Sequence, residues 1–522
     1  MDKLVTDFMF PVGGIDRSKA FSDQDSQTAY DTLNVLPQDV YLGRVRGGSR
    51  PGMLRHSTNL FGQGNPIRMV SVVVTSQGLN QLVCSTGDRF YNQAVLWSPS
   101  TAQYSLADSW YATATTWPVA GRLCKAYIND SIVIARRASI VGEAFNPFIY
   151  TAGDTTGSAL GNPPADPLGD VPLGCAVAAN IGNRLVLAGD YTDRRSYYMS
   201  RVGDPHDFAY GDTDEERAVT GELAIPGANN DGIKAIVPWY ADYSLWFCGS
   251  STALLIGDNP TTGAYFYPIS DRLGCLDSMA WCRGPGQTVF VMTRDGLAKC
   301  DPSNPRGEPE LVSRERIPKE LQAIGTDYEV TLIWDSRAKG VHIFKSKVSA
   351  VSGIDHWFWY QPGDSYFRMR YPTDCEPFSA CALPSLDTEM ASIILGCRDG
   401  RLRQFSIDAF DDDGTNFDSH VILGPTRPGN SEDMDGKLLE VVGVMADDSS
   451  DVDYYVLCGD THEQAVQATP EWTGSFSAGR NRVDRPRTRS GSVAIKVSGV
   501  PGDPWSMEKV HAVMAPGGRQ RT

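Results

Sequence analysis

Seven short apolar strands recur along this 522-residue chain, each starting just after a turn residue and running into a second turn. Their centres fall at Val83, Val133, Val186, Trp246, Phe290, Ile343 and Ile394, so the successive spacings are 50, 53, 60, 44, 53 and 51 residues. A period of about 40–50 residues built only from strands and turns is the mark of a β-propeller, one blade per period. The clearest copies run from Val289 to Leu297 and from Ile393 to Leu402, where Asp295-Gly296 and Asp399-Gly400 separate apolar runs. Asp-Gly supplies the positive φ angles of a two-residue hairpin turn. Other copies carry Gly87-Asp88, Gly189-Asp190 or Gly249-Ser250 instead.

The expected fold class is all-β: a propeller of about seven blades, an additional C-terminal β-sandwich-like domain and an extended N-terminal arm. Residues 1–65 are dense in turn formers, including Gly13-Gly14 and the stretch from Tyr41 to Gly52, and read as the arm. The repeat fills about 66–410 and places the propeller at 66–415. After Asp411-Asp412-Asp413-Gly414 the period ends. Residues 416–522 alternate strand-like runs, such as Leu438–Val442 and Ser492–Val497, with polar turns, which suits a sandwich of about 100 residues. One short helix is predicted over Ile317–Ile324, with proline in its first turn.

Charge and cysteine content narrow the function. The chain carries 63 acidic against 47 basic residues, a net −16, which argues against a surface that grips nucleic acid everywhere. Its 11 cysteines are odd in number, scattered, and sit in or beside apolar strands, as buried thiols of a reducing cytosol would. No Cys-x-x-Cys and no paired histidines offer metal spacing. No apolar run is long enough for a membrane span and no cleavage pattern follows Met1, so a soluble, unprocessed chain without cofactors is expected.

Catalytic patterns fail in the same way. Gly-x-Ser-x-Gly is missing, and Gly436-Lys437 is followed by Leu438 where a phosphate loop needs Ser or Thr. The acidic cluster near Asp411 and Asp413 resembles a calcium loop, but Ala409 and His420 stand at its first and last ligand positions. The expectation is therefore no enzyme. Positive charge concentrates in two groups: Arg44, Arg46, Arg50 and Arg55 in the arm, and Arg480, Arg482, Arg485, Arg487 and Arg489 near the C-terminus, the latter opposed only by Asp484. Such a run reads either as a solvated strand edge or as a contact for phosphates or an acidic partner.

Several stretches resemble a known family. Gly43-Arg44-Val45-Arg46-Gly47-Gly48-Ser49-Arg50-Pro51-Gly52 is similar to the R-x-R-G-G-x-R-P-G segment near the start of tail proteins of short-tailed bacteriophages (podoviruses). The segment Ser196–Phe208, with Gly203-Asp204-Pro205, is similar to their S-x-x-G-D-P-x-x-F segment. Trp239 and Asp242 before Leu245–Ser250, then Arg272-Leu273-Gly274-Cys275, and finally Trp505–Val510 also fit.

The resemblance implies a tail nozzle, or tail-tube, protein: a structural virion protein forming a homohexameric ring that closes the connector channel, retains packaged DNA and acts as its ejection conduit. It implies adaptor or connector proteins above, tail fibre, spike or needle proteins around or below, and transient passage of double-stranded DNA. The location would be the virion tail, and the host cytoplasm during assembly. On this reading Arg44, Arg46, Arg50, Arg480, Arg482, Arg485, Arg487 and Arg489 are candidate subunit or connector contacts, and an acidic wall suits a channel that must not hold phosphates. Two alternatives stay open: a propeller enzyme acting on polysaccharide, and a propeller binding module for host surface glycans or proteins.

Overall fold

The computed structural model describes residues 3–519 apart from 95, 97–108, 114–121, 137–144, 162–168, 212, 226–231, 241, 258, 260–261, 384–391 and 429–433. Seven antiparallel four-stranded sheets follow one another along the chain, with first strands beginning at Met69, Leu123, Val177, Ile233, Trp281, Tyr328 and Pro377. They are the blades of a propeller, numbered 1 to 7 from here on. The first strands of blades 1 to 4 touch in succession, as do those of blades 5 to 7, and blade 7 meets blade 1 to close the ring. Blades 4 and 5 are tied by the Trp239 indole, which donates to the Gln287 carbonyl at 2.7 Å.

All seven strand centres read from the sequence lie in the second strand of a blade, from Asn80–Ser85 in blade 1 to Ile393–Cys397 in blade 7. The reason is burial. A second strand has partners on both edges and neighbouring blades on both faces, so it becomes a near-continuous apolar run; the seven centres are fully or almost fully buried. The turns deviate from the sequence reading. In blade 5 the two turn residues are Arg294 and Asp295, and Gly296 opens the next strand opposite Thr293 with φ +126°. In blade 7 the loop spans Arg398–Arg401, with Gly400 at φ +76°.

One expectation is corrected. Residues 317–324 form turns, not a helix: Ile317 and Leu321 are buried in the propeller core, and Ala323 adopts φ +49°, which ends any right-handed turn. Among the described residues the one α-helix is His462–Gln467, capped by Thr461. The N-terminal arm is extended and lends short strands to both other units. Its Gly52–Arg55 strand pairs with Leu402–Ser406 as the fourth strand of blade 7. Its Leu4–Met9 and Thr32–Leu33 strands each join one sheet of the C-terminal sandwich.

That sandwich has a four-stranded sheet ordered Leu4–Met9, Met507–Arg519, Met434–Met445, Arg489–Ser490. Its five-stranded partner runs Thr32–Leu33, Ser419–Thr426, Ser492–Gly499, Val452–Gly459, Pro470–Phe476. One apolar cluster runs unbroken from blades 6 and 7 (Phe344, Phe358, Phe367, Leu395) through Phe8, Phe10 and Leu36 to Val497 and Met514 of the sandwich.

The propeller axis is pinned by charge. Arg122, at the start of blade 2, crosses to blades 5, 6 and 7: it pairs with Asp277 at 2.8 Å and Glu329 at 3.4 Å, and donates to the carbonyls of Phe378 and Val330. Arg68 of blade 1 pairs with the same Glu329. Replacing Arg122 with methionine is expected to lower unfolding free energy by about 2–3 kcal/mol. Glu329 keeps Arg68, and Asp277 is partly exposed, so neither carboxylate is left wholly stranded. Urea titration of the two proteins checks this, and unchanged midpoints would show that the pin adds nothing.

All 11 cysteines are free and buried. Burial pushes the Cys124 thiol up to about 11 and those of Cys300, Cys381 and Cys397 up to about 12. The expected result of maleimide labelling at pH 7.5 is no modification of the native protein and full modification of all 11 in guanidinium. Rapid native labelling of even one would mean that its blade opens.

Candidate functional site

The arginines singled out in the sequence separate into an interior and an exterior set. Arg50 is 2% exposed. Its guanidinium forks onto Asp412 at 2.9 and 2.6 Å, and donates to Asn34 Oδ1 and the Arg370 carbonyl. Tyr371 and Phe417 approach it at 4.6 and 3.9 Å from their ring centres. Desolvation disfavours its charge, but Asp412 more than offsets this and raises the Arg50 pKa. The whole donor set of Arg50 is used within the chain. Arg46 is also engaged internally, with Asp39 at 2.6 Å and Glu508 at 3.0 Å. Arg44 is exposed.

Around Arg46 and Arg50 the arm locks onto the C-terminal stretch. The Ser49 amide donates to the Trp505 carbonyl at 3.0 Å, and the Met507 amide to the Gly47 carbonyl at 3.1 Å. A Cβ at Gly48 would lie 2.0 Å from the Trp505 carbonyl oxygen, so only glycine admits this approach. The acidic cluster is consumed by the same joint. Asp412 holds Arg50, Asp413 accepts from Arg55 and Arg403, and Asp411 accepts the Gly414 amide at 3.0 Å. Among the described residues no group of three or more His, Cys, Asp or Glu is placed to hold a metal ion.

Beside this lock lies a groove of about 1100 Å³ between the arm loop Gln38–Gly43 and the rims of blades 6 and 7. Trp334 and Phe405 line it half-buried, with Leu42 and Ile407 exposed at its mouth. The polar lining includes Gln404, Asp408 and the His342–Asp335 pair at 3.2 Å. Sequence reasoning missed this groove. Its walls come from residues some 300 to 370 positions apart, and no local pattern marks them.

The exterior set is the C-terminal run. Arg480, Arg482, Arg485, Arg487 and Arg489 are all exposed along the free edge of the four-stranded sandwich sheet. Arg485 lies 3.5 Å from Glu440 and Arg489 3.2 Å from Asp435. Asp484 faces inward, where the Tyr454 hydroxyl and the Trp472 indole donate to its Oδ2. Partial burial raises its pKa, and these bonds with the Arg485 amide more than offset that, so the carboxylate stays below its ordinary value.

No protein-family model matches this chain, and no curated protein matches it in sequence. Its shape is similar to several solved structures. The extracellular domain of a putative hybrid two-component system from B. thetaiotaomicron aligns at TM-score 0.43 and 12% identity, over 76% of this chain and 44% of that one. YCF48 from Cyanidioschyzon merolae aligns at TM-score 0.37 and 9% identity, over 68% of this chain and 99% of that one. PorZ, a surface component of the type-IX secretion system of Porphyromonas gingivalis, aligns at 0.39 and 10%, over 84% and 59%. The chain spans under half the length of the first of these. At such identities and TM-scores the likeness carries nothing over about what this chain does.

Proposed function

We propose that this chain is a non-catalytic interaction protein, in which a propeller and a sandwich locked to it present surfaces to other macromolecules. The observation that carries this reading is the use made of the distinctive residues. The arm and C-terminal stretches of the family resemblance, 462 residues apart at Arg46 and Glu508, are spent on one joint. The Gly203-Asp204-Pro205 stretch is a turn in which Asp204 caps the His206 amide at 2.9 Å. The Cys275 amide, on the segment leading into blade 5, donates to the Cys248 carbonyl of blade 4 at 2.8 Å. These residues build a rigid frame instead of converging on a reacting centre.

The finer form of the proposal is a ring subunit of a short-tailed phage tail, a nozzle that retains and conducts DNA, and its support is the motif resemblance. A second reading, a binding module for surface glycans or proteins, is favoured by the aromatic-lined groove at Trp334 and Phe405. Native mass spectrometry and a glycan array separate the two. A closed ring of six copies is expected from the first; a monomer that binds glycan, and loses it on Trp334→Ala, is expected from the second. Purified protein should not cleave capsular polysaccharide, peptidoglycan or nucleotides. Turnover abolished by replacing one carboxylate would overturn the non-catalytic reading.

A further inference from the structure

The arginine run is held rigidly and its charge is directed outward. Main-chain hydrogen bonds tie it to the strand Met434–Met445, from Met445 N–H to the Gly479 carbonyl, through the reciprocal pair Val441 and Asp484, to Leu438 N–H and the Thr488 carbonyl. Pro486 is buried beneath it, and Arg487 stands in the left-handed region at φ +55°. The run lies along the strand from Val444, opposite Arg480, to Lys437, opposite Arg489, a strip of roughly 23 Å at about 3.3 Å per residue. The only acid within it, Asp484, is turned onto Tyr454 and Trp472 and does not neutralise its neighbours. Arg480, Arg482 and Arg487 form no ion pair with any described residue. At the far end Lys437 stands directly opposite Arg489 across the ladder, and the Asp435 carboxylate 3.2 Å from Arg489 balances only one of the two charges.

We propose that this strip binds the sugar-phosphate backbone of nucleic acid without reading its sequence. A row of exposed arginines on a hydrogen-bonded backbone suits a linear polyanion, and arginine pairs with phosphate through two parallel bonds. The surroundings argue against an acidic protein. A protein interface needs an apolar centre depleted in charge, whereas the exposed large apolar side chains within and beside the strip are Val483 and Trp472. A wet, strongly positive surface is the nucleic-acid pattern. The net −16 of the chain does not cancel it, because screening at physiological salt confines each charge to about 8–10 Å. The inference stands independently of any ring.

The test is fluorescence anisotropy of a labelled 30-base-pair duplex with the full chain and with an Arg480→Gln, Arg482→Gln, Arg487→Asn variant, asparagine being tolerated at positive φ. Three unpaired arginines predict a slope of about −2 to −3 in log affinity against log salt. The variant should bind at least tenfold more weakly at 50 mM salt with an unchanged melting temperature. Poly-L-glutamate of equal charge should compete poorly. Absence of duplex binding at 50 mM salt, a variant as tight as the parent, or polyglutamate competing as well as DNA would each overturn the proposal, the last in favour of an acidic polypeptide.

Discussion

Replacing Arg50 with methionine should cost about 3–5 kcal/mol of unfolding free energy, because it strands a buried carboxylate. Asp412 is 0% exposed and its two oxygens are taken up by the Arg50 fork. The two aromatic faces over the guanidinium would also lose their cation. Lysine should recover less than half of the loss, since one ammonium cannot reproduce a planar fork between two rings. Adding Asp412→Leu to Arg50→Met should recover part of it by removing the stranded charge. Urea unfolding of the four proteins is the measurement. A single-variant cost under about 1 kcal/mol, the range of exposed pairs, would mean that the lock is ornamental to stability.

The largest pH effect is expected from His356. It is 1% exposed, and its Nδ1 accepts the Lys345 amide at 3.1 Å. Burial, reinforced by the charges of Lys345, Arg50 and Arg398, lowers its pKa from 6.5 to about 3. Between pH 6.5 and 3 the unfolded chain binds a proton there that the native protein refuses. This contribution to stability is complete above pH 6.5, declines as pH falls, and is gone below 3, a loss on the order of 5 kcal/mol. His356→Asn keeps an acceptor for Lys345 and cannot titrate. Its stability should therefore fall less steeply with acid, by about one proton in the slope. Parallel pH profiles for the two proteins would show that His356 is hydrated.

The propeller was legible in the sequence because the doubly covered second strands, Val83 to Ile394, must be apolar at the blade spacing. First strands are less legible, since a half-buried lysine interrupts their apolar run, as at Lys125 and Lys234. The sandwich strands at Leu438–Val442 and Ser492–Val497 were visible as strand-like runs between polar turns and fall within Met434–Met445 and Ser492–Gly499. The short Gly-Met-Leu-Arg strand that completes blade 7 was not, because its partner lies some 350 residues away and nothing local sets the pairing. Distance also hid the site. Arg50 and Asp412, 362 residues apart, each looked like part of a surface charge group, and only the fold shows that they neutralise one another. The helix expected at Ile317 failed because burial of Ile317 and Leu321 was achieved by turns.

Completion of blade 7 by Gly52–Arg55 has a consequence for how the protein is made. That strand leaves the ribosome early, while its partner Leu402–Ser406 is still about 350 codons from translation, and Leu4–Met9 must wait for Met507–Arg519 at the other extreme. At roughly 5–20 residues per second, the first segment to emerge stays unpaired for about half a minute or more. Blades 1 to 6 can form in order behind it, each on contacts local in sequence. The ring can close once Leu402–Ser406 has emerged, whereas the joint and the four-stranded sandwich sheet must wait for the stretch from Trp505 to Arg519, so a nascent chain cut between these two points would carry a complete propeller and an unmatched Leu4–Met9.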